Sequence, residues 1–107
     1  MVFKVPVPEA IDEYAQAIKL APGEGVLYNN LGVVYLKMND IDHARPFFLK
    51  SVEINGSDLS ALNNLAYCYL EKNEPDKAEV LLNEILKKDS RFAAALDNLI
   101  KLRQRKE

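Results

Sequence analysis

Two apolar rhythms alternate along this chain. From Gly25 onward, Leu27, Leu31, Val34, Tyr35 and Met38 recur at the three- and four-residue spacing of one helix face. Asn39-Asp40 then interrupts the pattern with turn and helix-start chemistry. A second apolar pattern follows at Ala44, Phe47, Phe48, Ser51 and Val52, and it stops at Asn55-Gly56, where the glycine is available for a left-handed helix cap. The spacing predicts two helices joined by a short turn.

The same text then repeats. Shifted by 34 residues, Asn29-Asn30-Leu31 falls on Asn63-Asn64-Leu65, Tyr35-Leu36 on Tyr69-Leu70, Asn39 on Asn73, Asp42 on Asp76 and Ala44 on Ala78. A further shift sends Leu62 to Leu96 and Asn64-Leu65 to Asn98-Leu99. Pro75 stands where a proline is tolerated, in the first turn of a second helix. One short helix pair cannot bury both of its faces. Stacking a neighbour on it completes a core, which is the physical reason for the repetition.

The residues at fixed offsets are Tyr28, Leu31-Gly32, Tyr35, Ala44 and Phe48 in one unit and Leu62, Leu65-Ala66, Tyr69, Ala78 and Leu82 in the next. This pattern resembles the tetratricopeptide repeat (TPR) family, with Gly56 and Ser90 in place of the family's closing proline. Gly32, Ala66, Ala44 and Ala78 are the small residues that let paired helices approach closely. Carried backwards, Ala10, Tyr14, Ala17 and Pro22 meet the Ala, aromatic, small and Pro positions. The expected fold is all-α, a right-handed α-solenoid of antiparallel helix pairs with about six helices. The expected order is a partial repeat over 1–24 (second helix only, after an apolar tail), repeats over 25–58 and 59–92, and a capping helix over 93–107.

The two ends differ. Arg103 replaces the tyrosines at Tyr35 and Tyr69, and Lys101, Gln104, Arg105 and Lys106 surround it, as suits a polar terminal helix. The first helix instead presents Ile11, Tyr14 and Ile18 without a partner. Either Val2, Phe3, Val5 and Val7 fold back over it, or another chain does, or the protein continues upstream. Pro46 fits poorly inside a second helix, because it removes a backbone donor. It is tolerable if that helix starts as late as Asp42.

Composition narrows the function classes. The chain has 107 residues, 49% of them hydrophobic, and a net charge of −2 with both signs interspersed. That size suits one domain, and that balance lacks the basic excess of a general nucleic-acid binder. Met1-Val2-Phe3-Lys4-Val5-Pro6-Val7-Pro8 is too short and proline-broken for a signal peptide, and no apolar run reaches membrane-span length. Cys68 is the only cysteine, so neither an internal disulfide nor a cysteine metal cluster is available, and a cytoplasmic setting is expected. It reads as a buried, inert thiol, and the lone His43 as a solvated surface residue. Gly23 and Gly25 flank Glu24 in a turn that no phosphate-loop signature follows. No catalytic residue, metal or cofactor is expected, and no nucleic-acid or membrane partner.

The resemblance implies that first helices line a concave groove and that the residue before the Leu-Gly position points into it. Here those residues are Asn30, Asn64 and Asn98. An asparagine amide both donates and accepts, so three at a fixed repeat can bond a peptide backbone in both senses. The arrangement is similar to the asparagine ladder in the TPR domain of the transferase that puts N-acetylglucosamine on serine and threonine. The alternative is that asparagine there is a common TPR surface residue without a role. Val33, Leu36, Tyr67 and Leu70 would flank the ladder, with Tyr67 as anchor, unless some of them are core. Lys101 and Arg105 would favour acidic side chains or a terminal carboxylate. TPR modules that clamp chaperone tails use a Lys/Asn/Asn/Lys/Arg set. Asn29, Val33, Asn64, Ala94 and Asn98 hold those places here, so clamping of that kind is not expected. The resemblance implies a peptide-binding scaffold for protein–protein interaction. The alternatives are a homo-oligomerisation element working through the N-terminal half-repeat, and a piece of a larger TPR-containing protein.

Overall fold

The structure, a computed structural model, describes residues 7–106. Among them lie six α-helices and no strand: α1 (Val7–Leu20), α2 (Gly25–Lys37), α3 (Ile41–Ile54), α4 (Leu59–Glu71), α5 (Pro75–Lys88) and α6 (Ala93–Lys106). First helices α2, α4 and α6 begin at residues 25, 59 and 93, and second helices α1, α3 and α5 at 7, 41 and 75, so the spacing of 34 holds throughout. The expected cover by Val2, Phe3 and Val5 lies outside the described residues.

The chain divides into two compact units, Met1–Asn55 and Gly56–Glu107. In the first, α2 packs against both α1 and α3. The face of α3 is built from Ala44, Phe48 and Ser51, which are at most 1% exposed. A Cβ on Gly32 would stand 2.5 Å from Phe48 Cε1, so glycine is what lets the ring lie against the α2 backbone. The buried Ser51 hydroxyl donates to the Gly25 carbonyl at 2.8 Å, which satisfies it. Tyr35 stacks on both His43 and Phe47, with ring centroids 5.4 and 5.6 Å apart. In the second unit α4 packs against α5 and α6, and α5 against α6. Their shared core holds Leu62, Leu65 and Ala66 of α4, Ala78, Leu82 and Ile85 of α5, and Ala95 and Leu102 of α6.

The left-handed caps are not at Gly56. Asn39 and Asn73 both have φ 59, and among the described residues no glycine has positive φ. Asparagine is one of the few residues beside glycine that visits this region at small cost. Asn39 N–H donates to the Leu36 carbonyl at 2.8 Å and Asp40 N–H to that of Tyr35 at 2.9 Å. Asn73 and Glu74 do the same to Leu70 and Tyr69, at 3.1 and 2.8 Å. Both first helices therefore close with the paired bonds of a Schellman motif. Asp40 then caps α3 by accepting from His43 N–H at 3.2 Å, and Asp58 caps α4 by accepting from the N–H groups of Ser60 and Ala61. α3 starts at Ile41 and runs through Pro46, which is exposed. The residue four back, Asp42, to whose carbonyl a proline has no N–H to offer, is exposed too.

Candidate functional site

Within the second unit, α6 meets α4 at three successive turns. At the first, Asn98 Nδ2 donates to Asn63 Oδ1 at 2.9 Å. At the second, the Lys101 ammonium lies over the Tyr67 ring, 5.6 Å from its centroid. At the third, Arg105 Nη1 donates to the Leu70 carbonyl and Nη2 reaches Glu71 Oε1 at 3.1 Å. Asn98, Lys101 and Arg105 share one helix face because they are three and four residues apart. Arg105 thus sits at the C-terminus of α4, where a cation complements the exposed carbonyl ends.

The partly exposed members of this seam are chemically varied. Tyr67 is half-buried, Asn64 is half-buried beside it in sequence register, and Lys101 is exposed. The Tyr67 phenol is held above its ordinary pKa, first by burial and then by the neighbouring Glu71 and Cys68, while Arg105 pulls the other way. The ring therefore stays a neutral hydroxyl donor across the physiological range, with a cation against its face.

Two sequence expectations change. Asn98 was expected to face solvent, but it is 5% exposed and its amide nitrogen is engaged by Asn63. Arg105 was expected to await acidic ligands, but its guanidinium spans the end of α4 and Glu71. Leu70 is buried core and not groove wall. In α2, Asn30, Val33 and Leu36 are half-buried. Sequence reasoning missed Asn63 and Glu71. Their signal was sequence separation: Asn63 lies one repeat plus one residue before Asn98, and Glu71 lies one repeat before Arg105.

The first unit has an opening of its own. A cleft of about 470 Å³ lies between α1 and α2, lined by Ala10, Glu13, Tyr14 and Ala17 on one wall and Leu27, Val34 and Lys37 on the other. Tyr14, expected to lack a partner, opens onto it, whereas Ile11 and Ile18 do not line it. Elsewhere, Cys68 is fully buried. His43 is exposed, with Nδ1 2.7 Å from Asp40 Oδ2. Among the described residues no group of His, Cys, Asp or Glu is arranged to hold a metal ion, and no helix is long and apolar enough to cross a membrane.

Two family models described as tetratricopeptide repeat match residues 26–58 and 47–80, which together make up half of the chain. The chain belongs to the tetratricopeptide-repeat family. Its fold is the family's all-α helical-repeat solenoid, and solved TPR domains share it. The first TPR of Spaghetti (RPAP3), bound to the HSP90 peptide SRMEEVD, superposes with a TM-score of 0.86 at 21% identity, over 92% of this chain and 78% of that one. The Arabidopsis OM64 TPR domain gives 0.85 at 18% identity, over 92% and 82%. The second TPR domain of human RPAP3, in complex with the HSP70 peptide SGPTIEEVD, gives 0.83 at 18% identity, over 91% and 81%. At these identities the likeness is one of fold. A comparison with curated proteins gives no match.

Proposed function

We propose that this TPR module is a non-enzymatic interaction scaffold that binds an extended peptide segment of another protein. The observation that carries the reading is the Lys101–Tyr67 pair on the α4–α6 seam. It combines a half-buried aromatic face, a hydroxyl donor and an exposed cation, with the Asn64 amide on the same helix as the ring. Those groups can stack on a side chain, bond a peptide backbone in both senses and attract an acidic residue. Asn30 and Val33 occupy the same repeat positions in α2 as Asn64 and Tyr67 do in α4. Asn98 and Arg105 serve the site by holding α6 against α4, and Asn98 is the third asparagine of the ladder by register.

The structurally similar RPAP3 domains are bound to peptides of HSP90 and HSP70, which supports a peptide as the ligand class. The clamp positions here, Asn29, Val33, Asn64, Ala94 and Asn98, carry no cation, so binding should not hinge on a free C-terminal carboxylate.

A titration decides between the two modes. SRMEEVD and its C-terminal amide should bind with similar, micromolar-range affinity, because a few neutral hydrogen bonds of about 0.5–1.5 kcal/mol each must offset the cost of ordering the peptide. Exchanging Asn30 and Asn64 for alanine together should weaken both at least tenfold. Equal affinities for parent and double variant would remove the ladder, and a preference of tenfold or more for the free acid would restore a carboxylate clamp.

A further inference from the structure

The second helices α3 and α5 use the same three positions to receive the first helix before each. In α3, which packs on α2, they are Ala44, Phe48 and Ser51, and all are buried. In α5, which packs on α4, they are Ala78, Leu82 and Ile85, each 0% exposed. In α1 the same positions are Ala10, Tyr14 and Ala17, and all three are only half-buried. The neighbouring first helix tells the same story. Ala95 and Leu102 of α6, which packs on α4 and α5, are buried, whereas Leu27 and Val34, 68 residues earlier in α2, are half-buried. All five of these half-buried residues line the cleft of about 470 Å³ between α1 and α2.

We propose that this cleft is a docking slot for one amphipathic helix of a partner protein, a helix with the apolar pattern of α4 and an acidic last turn. The charge requirement comes from the rim. Lys37 lines the cleft at the register position of Arg105, and Arg105 binds the end of α4 through the Leu70 carbonyl and Glu71. A helix seated on α1 and α2 as α4 sits on α5 and α6 brings its C-terminal carbonyls and its last-turn residue to Lys37. A carboxylate there is attracted and a cation repelled. Asn30 holds the position of Asn98, so an amide or other acceptor at the Asn63 place of the incoming helix has a donor waiting.

The same argument disfavours a second copy of this chain. Its α6 is a first-type helix with an open apolar face, since Leu96 and Ile100 are 40% and 54% exposed where Leu62 and Ala66 of α4 are buried. At the place of Glu71, however, α6 carries Arg105, with Arg103 nearby, and would bring cation against Lys37. This inference rests on the α1–α2 pair and shares Asn30 with the peptide reading, and the readouts at Ala10 and Ala17 of α1 keep the two distinguishable.

The chain supplies its own probe. A synthetic peptide of residues 58–73 with Cys68→Ser has the required pattern, including Glu71. Added to the isotope-labelled full chain, it should give saturable amide shifts at Ala10, Ala17 and Val34. Glu71→Lys in the peptide should weaken binding about threefold, and Lys37→Glu in the chain should reverse that preference, the change expected of one partly screened ion pair. Lys37 is exposed at a helix end, so the variant keeps the fold. Absence of saturable shifts, or shifts confined to α5 and α6, would overturn the slot. Tighter binding of a peptide of residues 93–106 would overturn the acidic partner in favour of a second copy.

Discussion

Alanine in place of Gly32 adds one methyl group where α2 lies closest to α3. The new Cβ would stand 2.5 Å from Phe48 Cε1 and 2.8 Å from Cδ1 and Cζ. Carbon atoms in contact sit about 3.5–4.0 Å apart, so the helix pair must open by about 1 Å or the ring must turn. Phe48 is fully buried, with Ala44 and Ser51 buried on the same face of α3, and turning it moves other core groups. Overpacking of this kind costs about 1–3 kcal/mol. Alanine recovers about 0.8–1 kcal/mol of helix propensity over glycine, so the expected net loss runs from near zero to about 2 kcal/mol. Urea unfolding followed by circular dichroism reads it directly. Phe48→Leu should destabilise on its own, yet the double variant should be more stable than the sum by about 1 kcal/mol, because the shorter side chain gives the methyl room. Strictly additive variants would show that the ring is not what requires the glycine.

Other outcomes follow from the second unit and the caps. Leu65→Ala should cost about 2–4 kcal/mol by opening a cavity among α4, α5 and α6, and Ala66→Leu about 1–3 kcal/mol by overfilling, both measurable in urea melts. Asn98→Ala should lower stability by about 1–2 kcal/mol, because it strands the Asn63 carbonyl oxygen at a buried position; a thermal melt indistinguishable from the parent would return Asn98 to the solvent-facing ladder. The Asp40 carboxyl is held below its ordinary value, first by its side-chain hydrogen bond with His43 and further by the His43 backbone amide and charge. Its folded pKa lies below the unfolded one, so its contribution is complete above the ordinary carboxylate value and is lost as pH falls through the lowered one. Asp40→Asn should therefore flatten the acid limb of stability against pH below about pH 4.

What the sequence made legible was whatever the repeat wrote more than once. The small residues Ala44 and Ala78 and the aliphatic Leu31 and Leu65 recur at one spacing, and each proved buried for the reason their size and period imply. The left-handed cap shows the same logic from its neglected side. Gly56 looked suited to it by residue type, but its repeat equivalent is Ser90. Asn39 and Asn73 recur one repeat apart, and both carry φ 59. Recurrence was the better guide because a backbone conformation needed in every unit must be met by a tolerant residue in every unit.

The candidate site was less legible because polar side chains choose among partners that periodicity does not name. Asn98 shares its repeat position with Asn30 and Asn64, yet its environment is set by Asn63, whose oxygen lies 2.9 Å away on the preceding first helix. Asn29 stands one residue short of Asn64 by the same count, so register alone does not make an asparagine at this position a rung for a ligand. Long cations add a second uncertainty of reach. Arg105 and Lys101 lie one turn apart on α6, but one side chain extends to the end of α4 and the other stops over an aromatic ring. Tyr67 and Lys101 therefore carry the peptide reading, while Asn98 and Arg105 hold together α4 and α6, the two helices on which that pair stands.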